Sequence, residues 1–588
     1  MWTHGKIEKI CLGAIALAVM ITILFMNAEA LGLEMVVDQD CEKNAGSVYF
    51  TANDLTQQWD IENATRITLS SSGPKVSGHG AYVYEKDVYI RQSGFYQIKG
   101  ECEESSIIVN ASADSKVWLL MDGVDMSCMD DACIRIEQAD KVFLNLGEGT
   151  VNTLHSGSAY SASAIQDGVD GALFSRDDLT INGKGTLHVS TAYWHGIVVN
   201  DELVISGGTI VVDAPQDAIH VNDAFRMTGS DITLRAGDEG ISVTDGWLYV
   251  ASGNIAIDSK DDAIHAVSDI AMDGGEIVAS SWDDAIHSDT GIYVYAIDLL
   301  ARHCNDGLDA PLVEIYGGSL SLRLDRDGIK ALTNETGAFP HILVAGGDVE
   351  IVNKNGGHAV GLRSDGDVVI TGGTIHISFL DNGENVAMDY GEENGGVARI
   401  DGGVVVACGS HAMAQSFGKG STQCSILYNI KDSIPGETTV SLEDNKGNVL
   451  VKHKVPYAFS SMIISCPAMV LSRTYSVVIG EWAEKVTLRE TSASFGNAKS
   501  EMFEGPMHYG GLSYRGKANT AQKNPRPSAS PMPTDTPERH VFPRIGENKE
   551  TSESQNPISE ESWWLLGASF VSLSAGILFA ARFEEKLK

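Results

Sequence analysis

Along the middle of the chain, apolar and polar residues alternate over short stretches, each introduced by a glycine turn: SGGTIVV (Ser206–Val212), TGSDITL (Thr228–Leu234), ASGNIAI (Ala251–Ile257), DGGEIVA (Asp273–Ala279), YGGSLSL (Tyr316–Leu322), AGGDVEI (Ala345–Ile351) and TGGTIHI (Thr371–Ile377). Period-two alternation behind a turn predicts a short strand with one face buried. A second marker runs in phase with the first: PQDAIHV (Pro215–Val221), GDEGISV (Gly237–Val243), KDDAIHA (Lys260–Ala266), SWDDAIHSD (Ser281–Asp289), CNDGLDA (Cys304–Ala310) and DRDGIKA (Asp325–Ala331). Aligned on the acid before the small residue, the register is Asp217, Glu239, Asp262, Asp284, Asp306 and Asp327, in steps of 22, 23, 22, 22 and 21.

Each unit of about 22 residues thus holds three short strands and three turns. Ile210, Ile232, Ile255, Ile277 and Leu320 recur at one position, and Ile219, Ile241, Ile264, Ile286, Leu308 and Ile329 at another, so stacking the units builds continuous aliphatic ladders. The LxxLxL pattern of leucine-rich repeats is missing, and helical repeats need longer units with a 3.6 period. The expected fold is an all-β, right-handed parallel β-helix in which each coil rises by one inter-strand spacing, roughly 4.8 Å. Units become less regular after Asp327, and Ala139–Leu154 and Asp177–Ser190 read as earlier coils.

Stacking turns the acidic positions into a column, flanked one residue earlier by Asp238, Asp261, Asp283 and Asn305. Bare carboxylates at about 5 Å repel by roughly 1 kcal/mol in water and more when buried. Such a column needs protons, amide hydrogen bonds or cations. Aspartate in a turn caps backbone amides, which accounts for part of the pattern. Tandem acids on neighbouring coils exceed what capping needs, and calcium accepts six to eight oxygen ligands in flexible geometry. The expected calcium ligands are therefore Asp217, Asp238, Glu239, Asp261, Asp262, Asp283, Asp284, Asn305, Asp306, Asp309 and Asp327. His220, His265 and His287 follow the aliphatic rung, where other units place Ser242, Asp309 and Lys330. Zinc or copper ligation is one reading of these histidines, and hydrogen bonding along the surface of the coil is the simpler one. Trp194 and Trp282 stand beside acidic turns with Trp247 nearby, and are candidate sugar platforms.

The 588-residue chain carries 42 basic and 79 acidic residues, a net charge of −37, which disfavours nucleic acid as a partner and makes divalent cations natural counterions. Aromatics are 7% of residues while glycines number 61, which suits strands and tight turns. Residues 1–30 read as a signal peptide or N-terminal anchor: Lys6 and Lys9, an apolar run, then Ala28-Glu29-Ala30. Residues 563–581 are apolar enough to span a membrane, with Arg582, Lys586 and Lys588 in a cytoplasmic tail, 582–588. A Pro/Ser/Thr-rich stalk, 515–562, precedes them. The body divides into an N-terminal β-rich cap, 31–110, and the β-helix, 111–424. Nine cysteines leave open either local disulfides, Cys128 with Cys133 or Cys408 with Cys424, or free buried thiols.

From about Ile67 to Val478 the chain resembles the bacterial carbohydrate-binding domain family of calcium-containing, pectate-lyase-like β-helix proteins of clostridia. The likeness rests on VSGHGAYVYEKDVYIRQSGFYQIKGE (Val76–Glu101), DSKVWLLMDGVDM (Asp114–Met126), ADKVFLNLGEGTVNTL (Ala139–Leu154), FSRDDLTINGKGTLHV (Phe174–Val189), the DDAIHA rungs and ARIDGGVVVACGSHAMAQSFGKGSTQCSILYNI (Ala398–Ile430). The resemblance implies binding of a plant cell-wall polysaccharide of the cellulose or polygalacturonate class, calcium in the Asp-rich turns, and a small β-rich module at about 425–490. Glu239, Arg326 and Asp309 depart from the common rung. The expectation is thus a monomeric, extracellular protein tethered to a bacterial membrane. One rival is a lyase using calcium and a basic residue to abstract the C5 proton of a uronate, with Lys330, Lys260, Arg323 and Arg326 as candidate bases. The other is an adhesin or spacer without a sugar ligand. Tryptophans exposed beside the acidic column favour binding, and buried rings favour the spacer.

Overall fold

Three β-strands per coil, joined by turns, wind through the computed structural model, which describes residues 49–57, 61–334, 336–418, 420–498 and 500. The segments expected to be a signal peptide or anchor (1–30), a stalk (515–562), a membrane span (563–581) and a tail (582–588) lie outside the described residues. Among the described residues no helix is long and apolar enough to cross a membrane.

The strands stack into three parallel sheets, and the chain is a parallel β-helix. In the first sheet, Thr209–Ala214, Ser230–Ala236, Gly253–Asp258, Glu276–Ser280, Asp298–Cys304 and Ser319–Leu324 pair in succession, aligning Ile210, Ile232, Ile255, Ile277, Leu299 and Leu320. In the second, strands from Asp87–Ile90 to Val386–Asp389 align Ile197, Ile219, Ile241, Ile264, Ile286, Leu308, Ile329 and Leu362. The third aligns Leu203, Phe225, Leu248, Ile270, Ile292 and Val313. All three ladders face inward, nearly every member is fully buried, and together they form one continuous core. Strand pairing along the axis satisfies the backbone while the aliphatic stacks supply the apolar burial.

The position between the acid and the core aliphatic is small for a steric reason. It holds Ala218, Gly240, Ala263, Ala285, Gly307 and Gly328, and a Cβ added at Gly240 would meet the Ala263 carbonyl oxygen at 2.5 Å. A Cβ at Gly328 would stand 2.2 Å from the Gly361 oxygen.

Antiparallel pairing covers an edge at each end of the stack, the second sheet's at the start and the first sheet's at the finish. Ala81–Tyr84 folds against Asp87–Ile90 at one end. At the other, Phe459–Ser465 runs antiparallel to Val404–Gly409 and to Ser425–Ile434, and a four-stranded sheet follows with its own core around Val440, Leu442, Tyr475 and Val477. The seven described cysteines are buried and unbridged, which corrects the disulfide alternative for Cys128 with Cys133 and Cys408 with Cys424. Cys128 Sγ instead accepts a hydrogen bond from Ser106 Oγ at 3.2 Å.

Candidate functional site

The turn between the first and second sheets carries the acidic column, and the outward residue of the following strand carries a second column beside it. In register, that second column reads Val198, His220, Ser242, His265, His287, Asp309, Lys330, Arg363 and Asp389. Asp217, Asp262, Asp284, Asp306 and Asp327 are all buried, the last to 1% exposure.

Backbone amides and cations share the work of holding these carboxylates. The backbone N–H of Asp284 donates to Asp262 Oδ1 at 2.8 Å, that of Asp306 to Asp284 Oδ1 at 3.2 Å, and that of Asp327 to Asp306 Oδ1 at 2.8 Å. Each acid therefore caps the amide of the equivalent residue one coil on. The second oxygen takes a cationic or imidazole donor from the next strand: His287 Nδ1 to Asp262 Oδ2 at 2.9 Å, Lys330 Nζ to Asp306 Oδ2 at 2.6 Å, and Arg363 Nη1 to Asp327 Oδ2 at 2.8 Å.

One step of this pattern is broken. The residue that would serve Asp284 is Asp309, another acid, and Lys330 turns to it as well at 2.5 Å. Burial, together with the charge of Asp306, pushes the Asp284 carboxyl up to about 8. His287 rises to about 9, because the hydrogen bond to Asp262 and the surrounding carboxylates outweigh the opposing effect of burial. Further along, Asp217 is met by His220 Nδ1 at 2.7 Å, and His195 Nδ1 stands 3.2 Å from both its amide nitrogen and its Oδ2. Burial opposes ionisation there, but the two imidazoles hold the Asp217 carboxyl well below the usual range. Glu239 goes the other way, up to about 9, through burial and the hydrogen bond and charge of Asp217.

The expected calcium ligands thus fall into different groups. Asp217, Asp238 and Glu239 bring one oxygen each within 4.8 Å of one another, as do Asp261, Asp262 and Asp283. Oxygen-only donor sets of this kind suit calcium. Asp306, Asp309 and Asp327 are instead engaged by Lys330 and Arg363. Asn305 Nδ2 donates to Asp283 Oδ1 at 3.0 Å.

Trp194 and Trp282 are 49% and 72% exposed, and both lie in the turn that carries the acids. Their coils are those of Ile197 and Ile286, four rises apart or roughly 19 Å at the inter-strand spacing. Trp247 starts a strand of the third sheet, with Tyr49 at 6.0 Å and the Arg226 guanidinium at 5.9 Å from its ring.

Among the candidate bases, Lys330 is held as an ammonium between Asp306 and Asp309, whose charges overcome burial and raise its pKa. A group so fixed is a poor base. Lys260 is exposed in its turn. Arg323, paired in register with Arg302, lines a recess of about 420 Å³ together with His303, Lys354 and Tyr457. Sequence reasoning did not single out Arg363, His195 or Asp289. Arg363 lies beyond an insertion, and the other two sit outside the common rung.

Comparison with known proteins places these features in a family. A curated carbohydrate-binding domain-containing protein of Acetivibrio thermocellus is 35% identical over 136 residues, 23% of this chain and 48% of the relative, so the match spans about half the relative's length. A solved structure, the polysaccharide lyase-like protein from C. thermocellum in its gadolinium derivative, aligns over 41% of this chain and 99% of its own at 27% identity with a TM-score of 0.39. The family profile described as carbohydrate-binding domain-containing protein matches residues 84–283 and 277–416, more than half of the sequence, and the chain belongs to that family.

Proposed function

We propose that the protein binds polysaccharide of the cellulose or polygalacturonate class along the acidic turn face, with calcium held by that face and bridging it to the carboxylates when the chain is a uronate. The observation that carries this reading is the pair of exposed rings, Trp194 and Trp282, in the turn that bears the acids, the first one coil before Asp217 and the second on the coil of Asp284. An exposed indole presents a flat apolar ring with a polar N–H, which stacks well on the apolar face of a sugar. Two such platforms four coils apart suit an extended chain running along the helix axis.

Calcium enters by charge. A uronate chain and an acidic face repel unless a dication joins them, and the sets Asp217, Asp238, Glu239 and Asp261, Asp262, Asp283 supply oxygen donors for it. A neutral glucan needs no such bridge. The apolar segments near each end, with basic residues outside the second, support a surface-tethered, extracellular placement in a bacterium.

A lyase is the second reading, favoured by the recess around Arg302 and Arg323, where Lys354 and His303 stand with Asp325 and Glu350. The test is retention of the full chain on insoluble cellulose and on calcium polygalacturonate gel, with Trp194→Ala and Trp282→Ala alongside. Retention that both substitutions weaken supports the proposal. Retention unaffected by either removes the tryptophan face from it.

A further inference from the structure

His265 and His287 face outward from adjacent strands in direct register, with ring centroids 4.8 Å apart. Asp289, two residues past His287, turns its carboxylate back toward both. Its Oδ1 lies 3.6 Å from His287 Nε2 and 3.9 Å from His265 Nε2. Both separations exceed hydrogen-bond reach. Two donors bound at about 2.1 Å to one tetrahedral ion stand roughly 3.4 Å apart, so small side-chain movements would bring all three onto a shared ion.

Two independent features point to a ligand. His265 Nε2 is buried and makes no hydrogen bond, a costly state for a ring nitrogen. Meanwhile Asp262 Oδ2 receives His287 Nδ1 at 2.9 Å, which leaves Nε2 of that ring for the cluster. A carboxylate behind a histidine in this way fixes the tautomer and raises the basicity of the ligating nitrogen.

We propose that His265, His287 and Asp289 bind a borderline divalent transition metal of the zinc class, with Asp262 as the positioning residue behind His287. Imidazole donors favour such ions over calcium. Asp262 and Asp284 each bring a carboxylate oxygen within 4.8 Å of a ring nitrogen of His287, and such anionic surroundings favour a dication there. The partly exposed His287 and Asp289 give it a route from solvent.

The other histidine pair is arranged differently. His195 Nδ1 is committed to the amide and carboxylate of Asp217, and His220 Nδ1 to the same carboxylate, so these rings serve Asp217 as hydrogen-bond partners.

The full chain, stripped with chelator, is titrated with Co²⁺ in excess calcium while visible absorption and bound metal are followed. One equivalent is expected, displaced by Zn²⁺ and not by calcium. His265→Gln and His287→Gln each abolish or weaken uptake at least tenfold, and Asp262→Asn weakens it about ten- to hundredfold. His220→Gln leaves it unchanged. Should His287→Gln fail to fold, His265→Gln and the parent spectrum decide the matter. No saturable uptake, uptake removed by calcium, or uptake lost with His220→Gln and kept with His265→Gln overturns the proposal. Sugar binding plays no part in this readout, so its result is independent of the polysaccharide reading.

Discussion

The backbone N–H of Asp284 donates to the side chain of Asp262, its counterpart one coil earlier, at 2.8 Å. This contact makes the column a structural spine as well as a row of charges. Each acid fixes the position of the next, and the cost of burying it is offset by an amide on one oxygen and, at most steps, a cationic or imidazole donor on the other.

The sign of the pH dependence follows from three groups in this spine. Asp284 and Glu239 sit at about 8 and about 9 in the folded chain, above the roughly 4 of free carboxyls, and His287 sits at about 9, above roughly 6.5. A raised folded pKa gives stability that is complete below the unfolded value and lost as pH rises through the folded one. Asp217 acts oppositely, but only in acid. The thermal midpoint in metal-free buffer is therefore expected to fall between about pH 5 and pH 9, and Asp284→Asn to flatten the fall. A midpoint that holds steady or climbs across that range contradicts the assignment.

Lys330 is a structural cation in this account. Replacing it with Met leaves Asp306 and Asp309 facing each other without a counter-ion, and the expected loss is about 3 kcal/mol at neutral pH. Denaturant unfolding of Lys330→Met beside Lys330→Met/Asp306→Asn checks this, since the second change should return part of the loss. An unchanged unfolding midpoint in the single variant counts against it.

The three tryptophans should separate by phenotype. Trp194→Ala and Trp282→Ala are expected to cost about 1 kcal/mol of glycan affinity each, roughly fivefold, and to leave the thermal midpoint alone. Trp247→Ala should lower the midpoint and spare affinity, because its ring packs with Tyr49 and Arg226. Binding isotherms and melting curves on the same preparations test both halves.

Much of this was legible in the chain itself. The 22-residue period set the register of Ile219, Ile241, Ile264 and Ile286, and the structure pairs them as expected. Leu299 escaped notice because no glycine pair precedes its strand, although it fills the ladder between Ile277 and Leu320. The third ladder was hidden by its mixed sizes, with Phe225 beside Leu203 and Leu248. The ion pairs were illegible for a different reason. Arg363 reaches Asp327 across an insertion that separates Ile329 from its partner Leu362, so no fixed spacing links charge to counter-charge. What the repeat presented as one row of calcium ligands contains oxygen clusters at Asp217–Glu239 and Asp261–Asp283, and salt bridges further along.

The most direct test of the central claim is sedimentation of the full chain with insoluble polygalacturonate in calcium and in EDTA, while the absorbance of unsaturated product is followed in the supernatant. The account predicts that the protein pellets in calcium, stays soluble in EDTA, and produces no new absorbance in either. Pelleting that ignores EDTA would contradict the calcium bridge. Rising absorbance would show an active lyase and direct attention to Arg323.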